Sequence, residues 1–260
     1  MSRGTKGHWR TQPVLPAIAP YQTGSQPSQK RLAAPTQVAP PCSGPHYIRA
    51  KPIRNLARAG YIRPMPSYEF CLPTLGKAVP AGPEWFHEIK YDGYRLRIER
   101  DGDRVRLITK GGYDWTRRYP RIVEAALKNR QKRFVIDGEA IIRGVDGYSD
   151  FNALHSGRHN SEVELIAFDV LVMDDDDLRG LPLSMRKANL QRLLSRRPDG
   201  IFVSEFEQGE IGPDLFRKAC KFGLEGLVSK RADRPYRGGR SKDWVKVKNR
   251  MHPAMSRVMG

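Results

Sequence analysis

The octapeptide EIKYDGYR, Glu88 to Arg95, sets a lysine between two carboxylates. In an extended backbone alternate side chains share a face, so Glu88, Lys90 and Asp92 would stand on one side. Such a cluster is either a salt-bridged strand edge or a lysine held for chemistry. Three more β-like segments carry charge where a buried strand should be apolar. RFVIDGEAII contains Asp137 and Glu139, and LEGLVSKR contains Glu225 and Lys230. DWVKVK sets Lys246 and Lys248 on one face against Val245 and Val247 on the other. A polar group inside a strand costs stability unless it is paired. Taken singly, each of these is ordinarily a solvated edge charge. Taken together, several lysines and separated carboxylates converging on one cleft would suit a nucleoside triphosphate with a divalent metal. Lysines neutralise phosphate oxygens, and carboxylate oxygens hold Mg²⁺, which takes few protein ligands alongside substrate phosphates. Neither GxxxxGK[ST] nor GxGxxG occurs. The phosphates would therefore be held by side chains, not by a glycine loop at a helix N-terminus.

The elements that must position these residues can be read from residue 68 onward. RLRIERDGDRVRLIT alternates apolar and charged residues around a DGD turn and predicts a β-hairpin, with Leu96 and Ile98 opposite Arg95 and Arg97. PRIVEAALKN predicts a helix opened by Pro120, its apolar positions at 122, 123, 126 and 127. RFVIDGEAII reads as an apolar strand interrupted by Asp137-Gly138-Glu139, and VELIAFDVLVM as a long strand ended by Asp174 to Asp177. SMRKANLQRLLSR predicts a helix with Ser184 as N-cap. IFVSEF reads as one strand. GPDLFRKACKFG reads as a helix with Pro213 in its first turn and Gly223 as its C-cap. GLVSK and DWVKVK read as short strands. Hairpins mixed with irregularly placed helices predict an α+β fold of largely antiparallel sheets, not a doubly wound parallel one.

Charge is distributed unevenly. The 260 residues carry a formal net charge of +18, and residues 1–68 contribute +10 of it with no Asp or Glu before Glu69. That excess favours a polyanionic partner, most simply nucleic acid. Residues 1–65, rich in Pro, Gln, Ser and Gly without period, read as a disordered basic tail. Its expected role is either a DNA contact or solubilisation. Three scattered cysteines without CxxC argue against a disulfide scaffold or zinc site and fit a reducing cytosol. No apolar run approaches the ~18 residues of a membrane span.

KYDG with Arg95 (the pattern KxDGxR), VIDGEAI, FDVL, EGLVSKR and WVKVK follow one another in this order. Together they resemble the signature motifs of the covalent nucleotidyltransferases, most closely the ATP-dependent DNA ligases, over roughly residues 68–250. LPLSMRKANLQRLL resembles the bacterial branch of that family. The resemblance implies an ATP-grasp-like nucleotidyltransferase domain over 66–250, with antiparallel sheets flanked by helices and a short C-terminal tail at 251–260. Lys90 matches the nucleophile that attacks the α-phosphorus of ATP. A lysine at the usual pKa of ~10.4 is protonated at neutral pH, so its surroundings must favour the neutral amine.

The resemblance assigns the other residues in turn. Glu88 would face the adenine exocyclic amine, while Asp92 would hold the turn at Gly93. Arg95 would contact ribose and phosphate, and Phe168 would stack on adenine. Glu139 would lie near the ribose and metal, with Glu225 as the metal-proximal carboxylate for Mg²⁺ or Mn²⁺. Lys246 and Lys248 match the α-phosphate lysines, assisted by Lys230. TKGGYDW departs from the family's Arg-Asn-Gly-type motif, so Lys110 would make a phosphate or ribose contact without the bidentate fork of Arg. Twelve residues follow Lys248, which predicts no OB-fold domain after the core. The implied activity is self-adenylation and transfer of AMP to the 5′-phosphate of nicked DNA, for repair or recombination, by a cytoplasmic monomer aided by a repair partner. RNA ligase or capping-type chemistry, or an inactive nucleic-acid-binding remnant, stand as the alternatives.

Overall fold

The computed structural model describes residues 68–196 and 199–257. The basic tail expected over 1–65 lies outside the described residues. The elements in chain order are β1 (Cys71–Leu75), β2 (Trp85–Ile89), β3 (Tyr94–Asp101), β4 (Arg104–Thr109), α1 (Pro120–Lys128), β5 (Arg133–Ile141), α2 (Phe151–Ser156) and β6 (Glu164–Met173). They continue with β7 (Asp176–Asp177), α3 (Leu183–Leu193), β8 (Ile201–Val203), β9 (Phe206–Gln208), α4 (Gly212–Lys221), β10 (Gly226–Arg231) and β11 (Gly239–Lys248), and a 3₁₀ turn at Pro253–Met255.

The strands form two sheets. The first has the order β1-β11-β10-β2-β9, antiparallel except for the parallel β1–β11 pair. The second has the order β4-β3-β5-β6-β7, antiparallel, with β8 added parallel to β6. The α+β class expected from the sequence is the one observed. Leu96, Ile98, Leu107 and Ile136 pack on the outer face of the second sheet against Ile122 and Ala126 of α1 and Leu190 of α3. Leu227 and Val247 of the first sheet pack against Ala219 of α4. A third cluster joins residues of both sheets, Cys71 and Trp244 from one and Val135, Phe168 and Leu171 from the other. The charged face of β3 therefore does not meet water. Arg97 and Glu99 are buried on the side facing the other sheet and pair with each other at 2.6 Å.

Local readings hold or fail for identifiable reasons. The DGD hairpin turns at Gly102, whose φ of +60° suits glycine. Asp137-Gly138-Glu139 do not interrupt β5, which pairs continuously with β3. Gly138 instead permits a close approach, since a Cβ there would meet the Ile166 carbonyl at 2.7 Å. In α1 the buried face is Ile122, Ala125 and Ala126, whereas Leu127 is exposed. Ser184 does not cap α3. The helix begins one residue earlier, and the Leu183 and Ser184 amides donate to the Arg234 and Ala232 carbonyls of the β10–β11 connection. A tertiary partner thus satisfies the orphan first-turn donors that a capping side chain would otherwise take. In α4, Pro213 sits in the first turn as expected, and Gly223, at φ +71°, follows the capping Phe222. IFVSEF is two strands in different sheets: β8 lies on β6, and β9 lies on β2. Among the described residues no helix is long and apolar enough to cross a membrane.

Candidate active site

The inner face of the first sheet is built by register. Val228 pairs with both Glu88 and Lys246, Lys230 with Trp244, and Gly226 with Lys248, while the Lys90 amide donates to the Gly226 carbonyl. Period-two alternation then gathers Glu88, Lys90, Lys230, Trp244, Lys246 and Lys248 on one face and sends Ile89, Leu227, Val245 and Val247 to the α4 side. Across from this face the second sheet offers Arg95 from β3, Glu139 from β5 and Phe168 from β6. Two register shifts in β6 leave Phe168 and Leu171 without partners on β5. Such bulges re-aim side chains, and both residues join the cluster shared by the sheets.

A cavity of about 250 Å³ opens between the sheets. Eight residues singled out from the sequence line it: Glu88, Lys90, Arg95, Lys110, Glu139, Phe168, Lys230 and Lys246. Glu225 and Lys248 stand just behind the wall. Glu225 receives Lys90 Nζ at 2.6 Å and Lys248 Nζ at 3.5 Å. Asp92 does not share this face. Its carboxylate takes Arg257 at 2.6 and 2.8 Å, so it ties down the chain after β11 and does not cap the turn at Gly93. Gly93 is required for another reason: a Cβ there would lie 2.3 Å from the Ala140 carbonyl.

Toward the Lys230–Trp244 end the charges are paired and buried. Glu88 accepts Lys230 Nζ at 2.8 Å and faces Lys187 Nζ at 2.7 Å, all three side chains being 3% exposed or less. Burial alone would raise the Glu88 carboxyl, but the two ammonium groups outweigh it and hold the carboxyl below its ordinary range. Burial pushes Lys230 down to about 8 against the pull of Glu88, and its Nζ sits 4.0 Å from the Phe168 ring centre and 4.3 Å from that of Trp244. Arg95 forks onto buried Asp137 at 2.6 and 2.8 Å, and its guanidinium lies 4.4 Å from the centre of the Phe168 ring. The Tyr236 hydroxyl donates to the same Asp137 at 2.8 Å. Lys230 therefore stands with the aromatic wall and Glu88, away from Glu225.

Toward the Lys90–Lys248 end the balance is positive and open. Burial, then Lys90, Lys248, Lys110 and Arg240, push the Lys246 ammonium down, because like charges close by disfavour the charged form. Glu139 is the one predicted carboxylate of the site with neither a hydrogen bond nor an ion pair among the described residues. Burial raises it to about 7, with Lys90 and Arg95 opposing. No group of three or more His, Cys, Asp or Glu among the described residues could hold a metal unaided. The available donor set is therefore one unpaired carboxylate and one ion-paired carboxylate beside a cation-lined cavity. That set matches a divalent ion which takes most of its ligands from phosphate and water.

Lys187, Arg240, Trp244 and the Arg186–Asp169 pair are not singled out by the sequence reading, and Asp137 is singled out without its role as the partner of Arg95. Arg186 forks onto Asp169 at 2.8 and 2.9 Å, both side chains fully buried. Arg186-Lys187 lies inside the LPLSMRK segment and Asp169 inside FDVL, both motifs that the sequence displays. What concealed the pair is that a charged residue on a helix is ordinarily solvated.

Two sheets enclosing a cleft with a lysine at its wall, facing carboxylates and further lysines, define the nucleotidyltransferase class of domain. A family model described as ATP dependent DNA ligase domain matches residues 72–248. The multifunctional non-homologous end joining protein LigD of Pseudomonas aeruginosa is 36% identical over 204 residues, covering 76% of this chain and 24% of that protein. The probable DNA ligase of Streptomyces avermitilis is 35% identical over 175 residues, covering 62% of this chain and 34% of that one. Among solved structures, mycobacterial DNA ligase D complexed with ATP and MES matches with a TM-score of 0.61 at 32% identity, over 69% of this chain and 60% of that one. The chain belongs to the ATP-dependent DNA ligase domain family. It spans about a quarter of the length of the LigD relative.

Proposed function

We propose that residues 66–250 form an adenylation domain that charges itself with AMP from ATP on Lys90 and passes the AMP to the 5′-phosphate of nicked DNA. One observation carries this reading. Lys90 Nζ stands at the cavity wall, 21% exposed, with Lys110, Arg240 and Lys246 lining the same space. The ammonium first gives up one proton. The neutral amine nitrogen then attacks the α-phosphorus, an N–P bond forms, the bond to the oxygen bridging to the β-phosphate breaks, pyrophosphate leaves, and the second proton released from the nitrogen passes to solvent. The ion pair with Glu225 positions Nζ and must open before the nitrogen can attack. Lys110, Lys246, Lys248 and Arg240 supply positive charge for the triphosphate, the kind of positioning and charge stabilisation that phosphoryl transfer requires.

Glu139 and Glu225 are the residues that would hold Mg²⁺ or Mn²⁺, whose contribution is to neutralise phosphate oxygens. The nucleobase end is assigned to Phe168, Trp244, Glu88 and Lys230. Arg95, locked on Asp137, is assigned to the sugar. Nicked duplex DNA is the proposed acceptor, in a cytoplasmic repair setting with a partner protein, and the basic segment 1–65 is proposed to add phosphate contacts. Incubation with ATP labelled at the α-phosphate tests the first step. The protein should acquire a covalent label that Lys90→Ala lacks, and a sealing assay on nicked DNA then tests the remainder. Labelling of the alanine variant would refute the assignment of the nucleophile.

A further inference from the structure

The LPLSMRK segment at the start of α3 has no part in the chemistry above, yet its two adjacent cations are among the most deeply buried side chains of the molecule. Arg186 locks onto Asp169 of the second sheet, and Lys187 reaches Glu88 of the first. The first turn of the same helix is pinned by backbone hydrogen bonds to the β10–β11 connection. α3 is thus a bracket that touches both walls of the cleft at its nucleobase end.

Lys187 does not line the cavity, and Glu88 does. Lys187 Nζ lies 2.7 Å from Glu88 Oε1, so this oxygen too is held by an ammonium. A carboxylate has about four acceptor positions, two on each oxygen. Lys230 occupies one on Oε2. With a single lysine, a buried glutamate would form a closed neutral pair turned toward that lysine. With two, the group is an anion in a net cationic setting, held from both sides, with acceptor positions left over for a donor in the cavity.

We propose that Lys187 is a positioning residue for nucleobase selection: it holds Glu88 ionised and aimed so that the carboxylate accepts from the 6-amino group of adenine. This rests on the ATP reading of the cavity. A hydrogen bond from the amine to a buried carboxylate discriminates against a purine lacking it, because the analogue leaves the carboxylate unmatched.

The test is equilibrium binding of ATP and of purine riboside triphosphate, which lacks the 6-amino group, to the full chain carrying Lys90→Ala, so that no turnover intervenes. In that background ATP should bind about tenfold or more tighter than the analogue. Adding Lys187→Met should shrink the preference to within about threefold, by weakening ATP rather than by tightening the analogue. Adding Lys187→Arg, which keeps the charge, should preserve it. Lowering pH should erode the preference in Lys187→Met before it does so with Lys187 present, because Glu88 then keeps one ammonium fewer. Three results would overturn the proposal: no preference with Lys187 present, an undiminished preference in Lys187→Met, or equal weakening toward both nucleotides. Should Lys187→Met fail to fold, a folded Lys187→Arg that has lost the preference overturns it, and one that retains it supports it. Covalent labelling of the chain with Lys90 intact reports separately on the adenylation reaction.

Discussion

The two ends of the cleft are built from the same residue types and put them to opposite uses. At the Lys230–Trp244 end, Lys187 and Lys230 close on Glu88 and Arg186 on Asp169, all deeply buried, and the partly buried Arg95 closes on the buried Asp137. At the Lys90–Lys248 end, cations outnumber their carboxylate partners, and Lys90 and Lys248 share one, Glu225. The first arrangement makes a stiff wall, because a buried charge left without a partner is costly. The second keeps positive charge uncompensated where an anionic ligand can complete it. Lysine content alone therefore does not separate structure from function; the ratio of partners to charges, together with burial, does.

The comparison can be broken at several points. The largest expected effect is at the open end, where Lys90→Ala should cut covalent labelling with ATP by more than about a thousandfold. Its melting temperature should change little, because Lys90 is partly exposed and leaves Glu225 with Lys248 as a neighbour. At the closed end the order reverses. Asp169→Ala strips the partner from a fully buried guanidinium and should cost about 3–5 kcal/mol of stability in urea unfolding. A much smaller loss would show that the wall does not depend on its pairs.

Intermediate effects follow for the groups proposed to bind the nucleotide and its metal. Lys246→Ala should raise the KM for ATP by roughly tenfold to a hundredfold, the scale of one charge-assisted contact, while leaving the unfolding midpoint near that of the parent. Glu139 titrates higher in the fold, at about 7, than its ordinary 4.5. A raised carboxyl binds its proton more tightly in the native state, so the stability it contributes is present at low pH and is lost as pH rises through about 7. Thermal melts across that range should show the parent falling relative to Glu139→Gln, and added Mn²⁺ should recover stability in the parent alone. Parallel melting curves would contradict the placement of an unpaired carboxylate in the cavity. The smallest effect belongs to the Arg257–Asp92 pair, whose guanidinium is partly exposed. Arg257→Ala should cost less than about 1 kcal/mol, measured by the same unfolding assay.

Much of the site was legible because its residues interrupt strong periodic patterns. Lys246 and Lys248 stand out only because Val245 and Val247 alternate with them, and the same alternation places them on one face. Glu139 and Asp137 stand out in an apolar strand, but the sequence could not distinguish an interruption of β5 from an inward-facing pair. Asp92 was misread because period two was extended past the end of β2 at Ile89, where the chain turns. IFVSEF was read as one strand because β-propensity is continuous across it, whereas the pairing partner changes from β6 to β2 within a few residues. Ser184 fits a cap by residue type, but the β10–β11 connection serves the first turn of the helix.

By itself the sequence determined the fold class, most of the strands and helices around the site, and the set of lysines and carboxylates that could serve a nucleotide. Those features depend on period, composition and order, which are properties of the chain read along its length. Only the tertiary structure decided which charge neutralises which. Glu88 is shared by lysines 99 and 142 positions away in sequence, from α3 and β10, and Asp137 is shared by Arg95 and Tyr236. Charge pairing acts over a few ångströms of space, at a strength set by burial. Neither quantity exists until the two sheets have closed on each other.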